Sequence, residues 1–121
     1  MVCKVGLVQI NNSFSGQNYL PLSAGLLQGY AQTHLKHPEQ YEFLLPLYRR
    51  MPVEEAMHRL DPADVVLFST YVWDIRISLE IARGLKERKP ETLIVFGGPQ
   101  VPDRSEEYLR RHPFIDLACH G

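Results

Sequence analysis

A short apolar run that stops at two glycines constrains this chain most. Thr92-Leu-Ile-Val-Phe-Gly-Gly-Pro-Gln-Val-Pro102 carries the apolar residues Leu93 to Phe96 and then, at once, Gly97-Gly98-Pro99. A continuous apolar run of this length reads as a strand buried on both faces, as in a parallel sheet. Two glycines at its carboxyl end leave no side chain over the sheet edge, so backbone or a ligand can come close. In open α/β sheets that edge is where ligands bind. An ordinary turn would use the same residues, because Gly and Pro are the usual loop punctuation. The company this stretch keeps decides between the two.

Along the chain, strand patterns alternate with helix patterns. Lys4 to Ile10 is a first strand, and Asn11 to Gln17 a polar loop containing Ser13, Ser15 and Gly16. Pro21 suits the first position of a helix. Leu22, Leu26, Leu27, Tyr30 and Ala31 recur at helical spacing and predict its buried stripe. Gly25 and Gly29 share a face and are expected to allow close packing on the sheet, each costing up to about 1 kcal/mol of helix propensity. Tyr41 to Tyr48 is a second strand; Pro46 has no amide to donate, which puts it on a sheet edge or at the strand's end. Pro52 opens a short helix with Ala56, Met57 and Leu60. Val65 to Thr70 is a third strand, apolar until Ser69 and Thr70. After the loop Tyr71-Val-Trp73, Asp74 is expected to cap the next helix. Ile75, Leu79, Ala82 and Lys86 run along that helix, with Ile77, Ile81 and Leu85 flanking. The glycine-ended run is the fourth strand. Pro102-Asp103 introduces a last helix with Tyr108 and Leu109, and Ile115 to Cys119 is the fifth strand.

Five strands alternating with helices predict an α/β fold: a doubly wound, three-layer sandwich around a five-stranded parallel sheet, of the Rossmann or flavodoxin-like kind. Residues 1–121 are expected to form one domain. A net charge of −1 leaves no electrostatic footprint for nucleic acid. No apolar run approaches the roughly 20 residues of a membrane span. The two cysteines, Cys3 and Cys119, do not resemble a secreted scaffold and fit a reducing cytoplasm. Asp116-Leu-Ala-Cys-His-Gly121 delivers the last strand to the sheet edge, and the chain is expected to be a fragment of a longer protein.

A parallel sheet points all its strand ends one way, so Asn11–Gly16, Ser69–Trp73 and Gly97–Pro102 line one rim. That rim offers hydroxyls (Ser13, Ser69, Thr70), amides (Asn11, Asn12, Gln100), aromatics (Tyr71, Trp73) and bare backbone (Gly97, Gly98). It suits a large, mostly neutral ligand held by hydrogen bonds and stacking. With no His or carboxylate obviously at the rim, it is poorly equipped for general acid–base catalysis. The acidic residues of a response-regulator receiver are replaced by Asn11-Asn12 and Ser69-Thr70. The dinucleotide Gly-x-Gly-x-x-Gly, a Walker motif and a metal-ligand pattern among the histidines are absent. Trp73 is open to either role, packing in the core or facing a ligand.

Taken together, these residues resemble the cobalamin-binding domain at the amino end of many radical S-adenosylmethionine enzymes. The resemblance rests on Tyr19-Leu-Pro-Leu-Ser-Ala-Gly-Leu-Leu-Gln28, Phe68-Ser-Thr-Tyr-Val-Trp73, Val95-Phe-Gly-Gly-Pro-Gln100 and Asp116-Leu-Ala-Cys-His-Gly121, and so runs along nearly the whole chain. It implies cobalamin bound with its nucleotide tail inserted along the sheet. Ser69 and Thr70 would bond that tail, and Gly97 and Gly98 would let it pass. Tyr71, Trp73, Pro99, Gln100 and Val101 would lie near the corrin. Gly98→Val is then expected to abolish binding.

The first loop departs from the better-known cobalamin domains, which carry Asp-x-His-x-x-Gly there with the His as lower cobalt ligand. Here Asn11 stands for the Asp and Ser13 for the His, and only Gly16 matches. No histidine from this loop is therefore expected to bind cobalt. The radical core of such enzymes needs a Cys-x-x-x-Cys-x-x-Cys motif, whereas Cys3 and Cys119 are 116 positions apart. The [4Fe-4S] cluster, S-adenosylmethionine and the catalytic core would then belong to a radical domain beyond Gly121, and this chain would be non-catalytic by itself. The alternative is a doubly wound protein-interaction or small-ligand-sensing domain that binds no cobalamin. A stand-alone enzyme is a third reading, disfavoured because no nucleophile–base pair is evident at the rim.

Overall fold

The computed structural model describes residues 2–14 and 17–119. Ser15, Gly16, His120 and Gly121, on which parts of the sequence expectations fall, lie outside them. In chain order the elements are β1 (Cys3–Val8), a short hairpin of β2 (Ser13–Phe14) and β3 (Gln17–Asn18), α1 (Leu22–His34), β4 (Tyr41–Phe43), α2 (Val53–Leu60), β5 (Val65–Ser69), α3 (Ile75–Arg88), β6 (Leu93–Gly97), α4 (Glu106–Arg111) and β7 (Leu117–Ala118). The β2–β3 pair overlaps the segment Asn11 to Gln17 that reads as a polar loop.

The main sheet has five parallel strands in the order β4-β1-β5-β6-β7. From β1 the chain goes outward to β4 on one side, then crosses back to β5 on the other. The direction of winding therefore reverses between β1 and β5, which is the switch point where such sheets open a crevice. β4 is the edge strand and stops before Pro46; past the proline the chain rejoins β1 through a Val8–Leu47 bridge. The two-residue strand β7 is pinned by Asp116, whose Oδ2 accepts from the Ile94 amide at 2.8 Å and from Lys86 Nζ at 2.6 Å.

The two faces of the sheet are covered unequally. On one, α2, α3 and α4 enclose a core that includes Val8, Ile10, Val66, Phe68, Ile94 and Phe96. On the other, a small cluster of Val5, Leu7 and Ala24 sits beneath α1. β6 records the inequality: Ile94 and Phe96 are 0% exposed, while Leu93, facing the other way, is 38% exposed. The expectation of a strand buried on both faces therefore holds for one face only.

Most of the predicted stripe of α1 faces the wrong way, Ala31 being the half-buried member. Leu22, Leu26 and Tyr30 are 70%, 64% and 66% exposed, and among α1 residues Ala24 is the buried one. The helix lays Ala24, Gln28 and Ala31 toward the sheet and its large side chains toward solvent. Helical spacing shows that a stripe exists; it does not say which of two apolar stripes meets the sheet. Gly25 and Gly29 accordingly make no close packing, because a Cβ on either would meet nothing within 4 Å. Each of Gly25→Ala and Gly29→Ala is thus expected to stabilise the chain by about 1 kcal/mol through helix propensity. Thermal unfolding followed by circular dichroism checks this.

On α3 the buried positions are Ser78, Ile81, Ala82 and Leu85: Ala82 from the line through Ile75, Leu79, Ala82 and Lys86, Ile81 and Leu85 from its flank, and Ser78 from neither. Among the helical glycines it is Gly84 that makes room for a neighbour: a Cβ there would lie 2.5 Å from Met57 Sδ on α2.

Candidate functional site

The carboxyl ends of β1, β5 and β6 open toward α1, and a cavity of about 230 Å³ lies between them. Leu7, Val8, Leu67 and Val95 form its sheet wall, and Ala24 and Leu27 of α1 the opposite wall. Ser69, Gly97, Gly98 and Cys119 bound it at the strand ends. It therefore occupies the switch-point crevice between β1 and β5. Its walls are almost wholly apolar, with the Ser69 hydroxyl and glycine backbone as polar contributions. Such a slot suits a flat, weakly polar ring system bonded at one end.

Three of the sequence-predicted residues, Ser69, Gly97 and Gly98, meet at this cavity. The apolar half of the lining went unnoticed in the sequence, because Leu7, Leu27 and Val95 read there as ordinary core. The one signal was their position within two residues of the strand ends or in the first turns of α1.

Gly98 has φ +92°, a conformation that side-chain-bearing residues rarely adopt. A Cβ there would also stand 2.6 Å from both the amide nitrogen and the carbonyl oxygen of Thr70. The two loops touch backbone to backbone. Thr70 N–H donates to Gly97 O at 2.8 Å, Gln100 N–H to Thr70 O at 3.2 Å, and Val101 N–H closes a turn on Gly98 O at 3.2 Å. Thr70 is fully buried and its hydroxyl donates to Gly97 O at 2.7 Å, so that donor is engaged within the fold. Gly97 is different. A Cβ on it would meet Cys119 O at 3.7 Å and Phe68 O at 3.9 Å, ordinary contacts.

Val101 is 5% exposed and belongs to the core on the α2–α3 side, while Pro99 is exposed and Gln100 half-buried beside it. Asn11 is buried; its Nδ2 donates to the carbonyls of Tyr19 and Leu20, closing the loop that contains the β2–β3 hairpin. Ser13 is exposed within that hairpin, and Gly16 is outside the described residues.

A second recess of about 340 Å³ is lined by Asn11, Asn12, Tyr19 and Trp73. Trp73 is 42% exposed and stacks on Tyr71 with ring centroids 4.8 Å apart and planes 5° from parallel. The Tyr71 hydroxyl shares a hydrogen bond with Ser23 of α1 at 3.0 Å. The Trp73 carbonyl accepts from the Arg50 guanidinium, which also donates to Asn12 Oδ1 at 3.3 Å.

Gln9, just past β1, has a role that sequence does not announce. Its buried side-chain carbonyl accepts the Ala24 amide at 2.9 Å, capping the first turn of α1, where Pro21 offers no side-chain cap.

Asp74 is 1% exposed. It does not cap α3 with its side chain; its Oδ1 reaches back to accept Tyr71 N–H at 2.8 Å. Burial pushes its carboxyl up to about 6, while the amides of Tyr71 and Ile10 and the charge of Arg50 pull the other way. A carboxyl that binds its proton more tightly folded than unfolded weakens the fold as it ionises. Stability therefore falls as pH rises from the unfolded value of 3.8 toward 6, by a total on the order of 3 kcal/mol.

Among the described residues, no three His, Cys, Asp or Glu side chains come together in a way that could hold a metal ion. Both cysteines are free thiols. No helix of the described residues is long and apolar enough to cross a membrane.

No family model matches the chain. Two curated proteins do. One is the cobalamin-dependent radical SAM methyltransferase TokK of Streptomyces tokunonensis, 40% identical over 103 residues. The other is the 2-(S-pantetheinyl)-carbapenam-3-carboxylate methyltransferase of Streptantibioticus cattleyicolor, 41% identical over 103 residues. In both, the match covers 85% of this chain and 15% of the relative's length. By sequence, then, this doubly wound domain is similar to a segment of two methyltransferases, one of them named as cobalamin-dependent and radical SAM, and spans about one-seventh of their length.

Proposed function

We propose that the chain is a cobalamin-binding module of a longer radical S-adenosylmethionine protein. The observation that carries the reading is the apolar crevice at the β1–β5 switch point, lipped by Ser69 and Gly97, in a chain similar to an enzyme named for cobalamin. The donor set fits the group. The crevice takes the aromatic base of the nucleotide tail, with Ser69 as the free hydroxyl at its mouth. Thr70 supports it from beneath by holding Gly97. Gly97 presents backbone to the tail, and Gly98 lets the two loops meet.

The Tyr71–Trp73 stack and the amides of Asn11 and Asn12 form a second wall, suited to the flat, amide-fringed corrin. Pro99 and Gln100 border the same rim. Val101 acts from below by anchoring the turn. Ser13 is a poor ligand for cobalt, and no histidine of the first loop is assigned to it. Cobalamin, when bound, supplies a cobalt centre able to carry a methyl group.

The parent's [4Fe-4S] cluster and S-adenosylmethionine are assigned to a separate radical domain, as is catalysis, in a cytoplasmic protein. The solvent-facing stripe of Leu22, Leu26 and Tyr30 is assigned to contact with the remainder of that protein, since contiguous exposed apolar surface commonly marks an interface.

Titration with hydroxocobalamin, gel filtration and visible absorbance test the proposal. Colour that co-elutes with the chain, with the spectrum of a displaced nucleotide base, is the expected result. A colourless chain, both alone and extended past Gly121, would instead favour a domain that senses another ligand or binds a protein.

A further inference from the structure

We propose that Asp74 is the positioning residue of the aromatic wall: its buried carboxylate holds the Tyr71–Trp73 stack in the orientation that receives the ligand. The proposal rests on the cobalamin reading for the identity of the ligand, but not for the device itself.

The geometry is a closed circuit. Asp74 Oδ1 accepts Tyr71 N–H at 2.8 Å, and Asp74 N–H donates to Tyr71 O at 3.1 Å, so residues 71 and 74 are tied at both ends. The stacked rings of Tyr71 and Trp73 are carried on the turn so formed. Arg50, in the segment between β4 and α2, is the charged side chain that acts on the carboxylate. Its guanidinium bonds the Trp73 carbonyl and Asn12 Oδ1, linking the Tyr71–Trp73 turn to the loop after β1. The Ile10 amide, at the end of β1, also favours the ionised carboxylate. Asp74 therefore joins the ends of β1 and β5 to the segment before α2.

The arrangement is unusual for a merely structural residue. Asp74 Oδ2 is buried with no hydrogen-bond partner, and so is Ser78 Oγ one turn along α3. A residue chosen for stability alone would not bury an unpaired carboxylate oxygen, because leaving such an atom unsatisfied is expensive. A device that holds Arg50 by charge and Tyr71 by hydrogen bond needs the carboxylate. Protonation weakens both ties at once. The charged side chain acting on Asp74 is Arg50, while the Tyr71 phenol is engaged with Ser23 of α1.

Trp73 is the only tryptophan in the chain, so its emission and the near-ultraviolet circular dichroism of the Tyr71–Trp73 pair report on this wall directly. Both are recorded on the ligand-free chain from about pH 5 to about pH 8. The expected result is a loss of the stacking signal as pH falls through about 6. Asp74→Asn, which keeps an acceptor for Tyr71 N–H but cannot ionise, is expected to be flat over that range. Ser78→Ala, which leaves the carboxylate in place, is expected to titrate as the parent does. Hydroxocobalamin affinity, measured in parallel, is expected to weaken about tenfold below the midpoint in the parent and not to vary with pH in Asp74→Asn.

An aromatic signal that ignores pH in the parent chain, or that titrates unchanged in Asp74→Asn, would overturn the proposal. The parent titration decides it even where the Asn variant fails to fold. If the signal titrates but hydroxocobalamin binds at no pH to the chain, alone or extended past Gly121, the positioning role stands and the cobalamin reading falls. If hydroxocobalamin binds while the signal stays flat, the reverse holds.

Discussion

A chain carrying Gly98→Val is expected to melt about 10 to 15 °C below the parent. Gly98 sits at φ +92°, which strains any side-chain-bearing residue and a β-branched one most. Its Cβ would stand 2.6 Å from the Thr70 backbone, nitrogen and oxygen alike, and backbone cannot rotate aside as a side chain can. The rim must separate, and Thr70 N–H to Gly97 O and Gln100 N–H to Thr70 O are the hydrogen bonds at risk. Strain and lost bonds together come to about 3 to 4 kcal/mol, and near 120 residues each kcal/mol is about 4 °C of melting temperature. A thermal melt followed at the helix signal reads the effect. A melting point within a degree or two of the parent would show that the two loops are not held as described. This variant also loses ligand binding, but for a reason unrelated to the ligand: the fold itself needs glycine there.

The residue that isolates the ligand is its neighbour. Gly97→Val is expected to leave the fold in place and weaken hydroxocobalamin retention by about 10- to 100-fold. A Cβ at Gly97 meets only Cys119 O at 3.7 Å and Phe68 O at 3.9 Å, and its φ lies outside the left-handed region. The two added methyl groups would instead occupy the apolar crevice, where about 230 Å³ of space lies against Ser69 and Leu67. A melt close to the parent's, combined with colour lost on gel filtration, is the signature of a filled slot. Full retention of hydroxocobalamin by Gly97→Val would mean that the nucleotide tail does not enter this crevice. Because Gly98→Val damages the scaffold and Gly97→Val only the space, the pair separates loss of fold from loss of site.

The contrast between α1 and β6 shows where reading the chain alone succeeds and where it stops. Period and punctuation were enough for the elements: Pro46 marked the edge strand, and the Gly97-Gly98 pair marked the strand end that borders the crevice. They were not enough for orientation. α1 carries both a stripe of large residues and a stripe of small ones, and each has helical spacing. The sheet takes the small one, through Ala24, leaving Leu22, Leu26 and Tyr30 to solvent. Sequence likewise promised Thr70 and Val101 to the ligand. The fold holds the Thr70 donor on Gly97 and, through the turn that Val101 N–H closes on Gly98 O, lays the Val101 side chain in the core.

The sequence by itself determined the alternation of strands and helices, hence the parallel sheet, its carboxyl edge and the short list of residues able to stand there. Those properties follow from local chemistry: apolar period, the missing amide of proline, the missing side chain of glycine. Only the tertiary structure decided which of those residues meet. The crevice between α1 and the ends of β1, β5 and β6 exists because strands distant in sequence are laid side by side. Gln9 caps α1, and Asn11 holds the carbonyls of Tyr19 and Leu20, because the partners arrive from separate segments. Those contacts depend on relative placement in space, which no local pattern encodes.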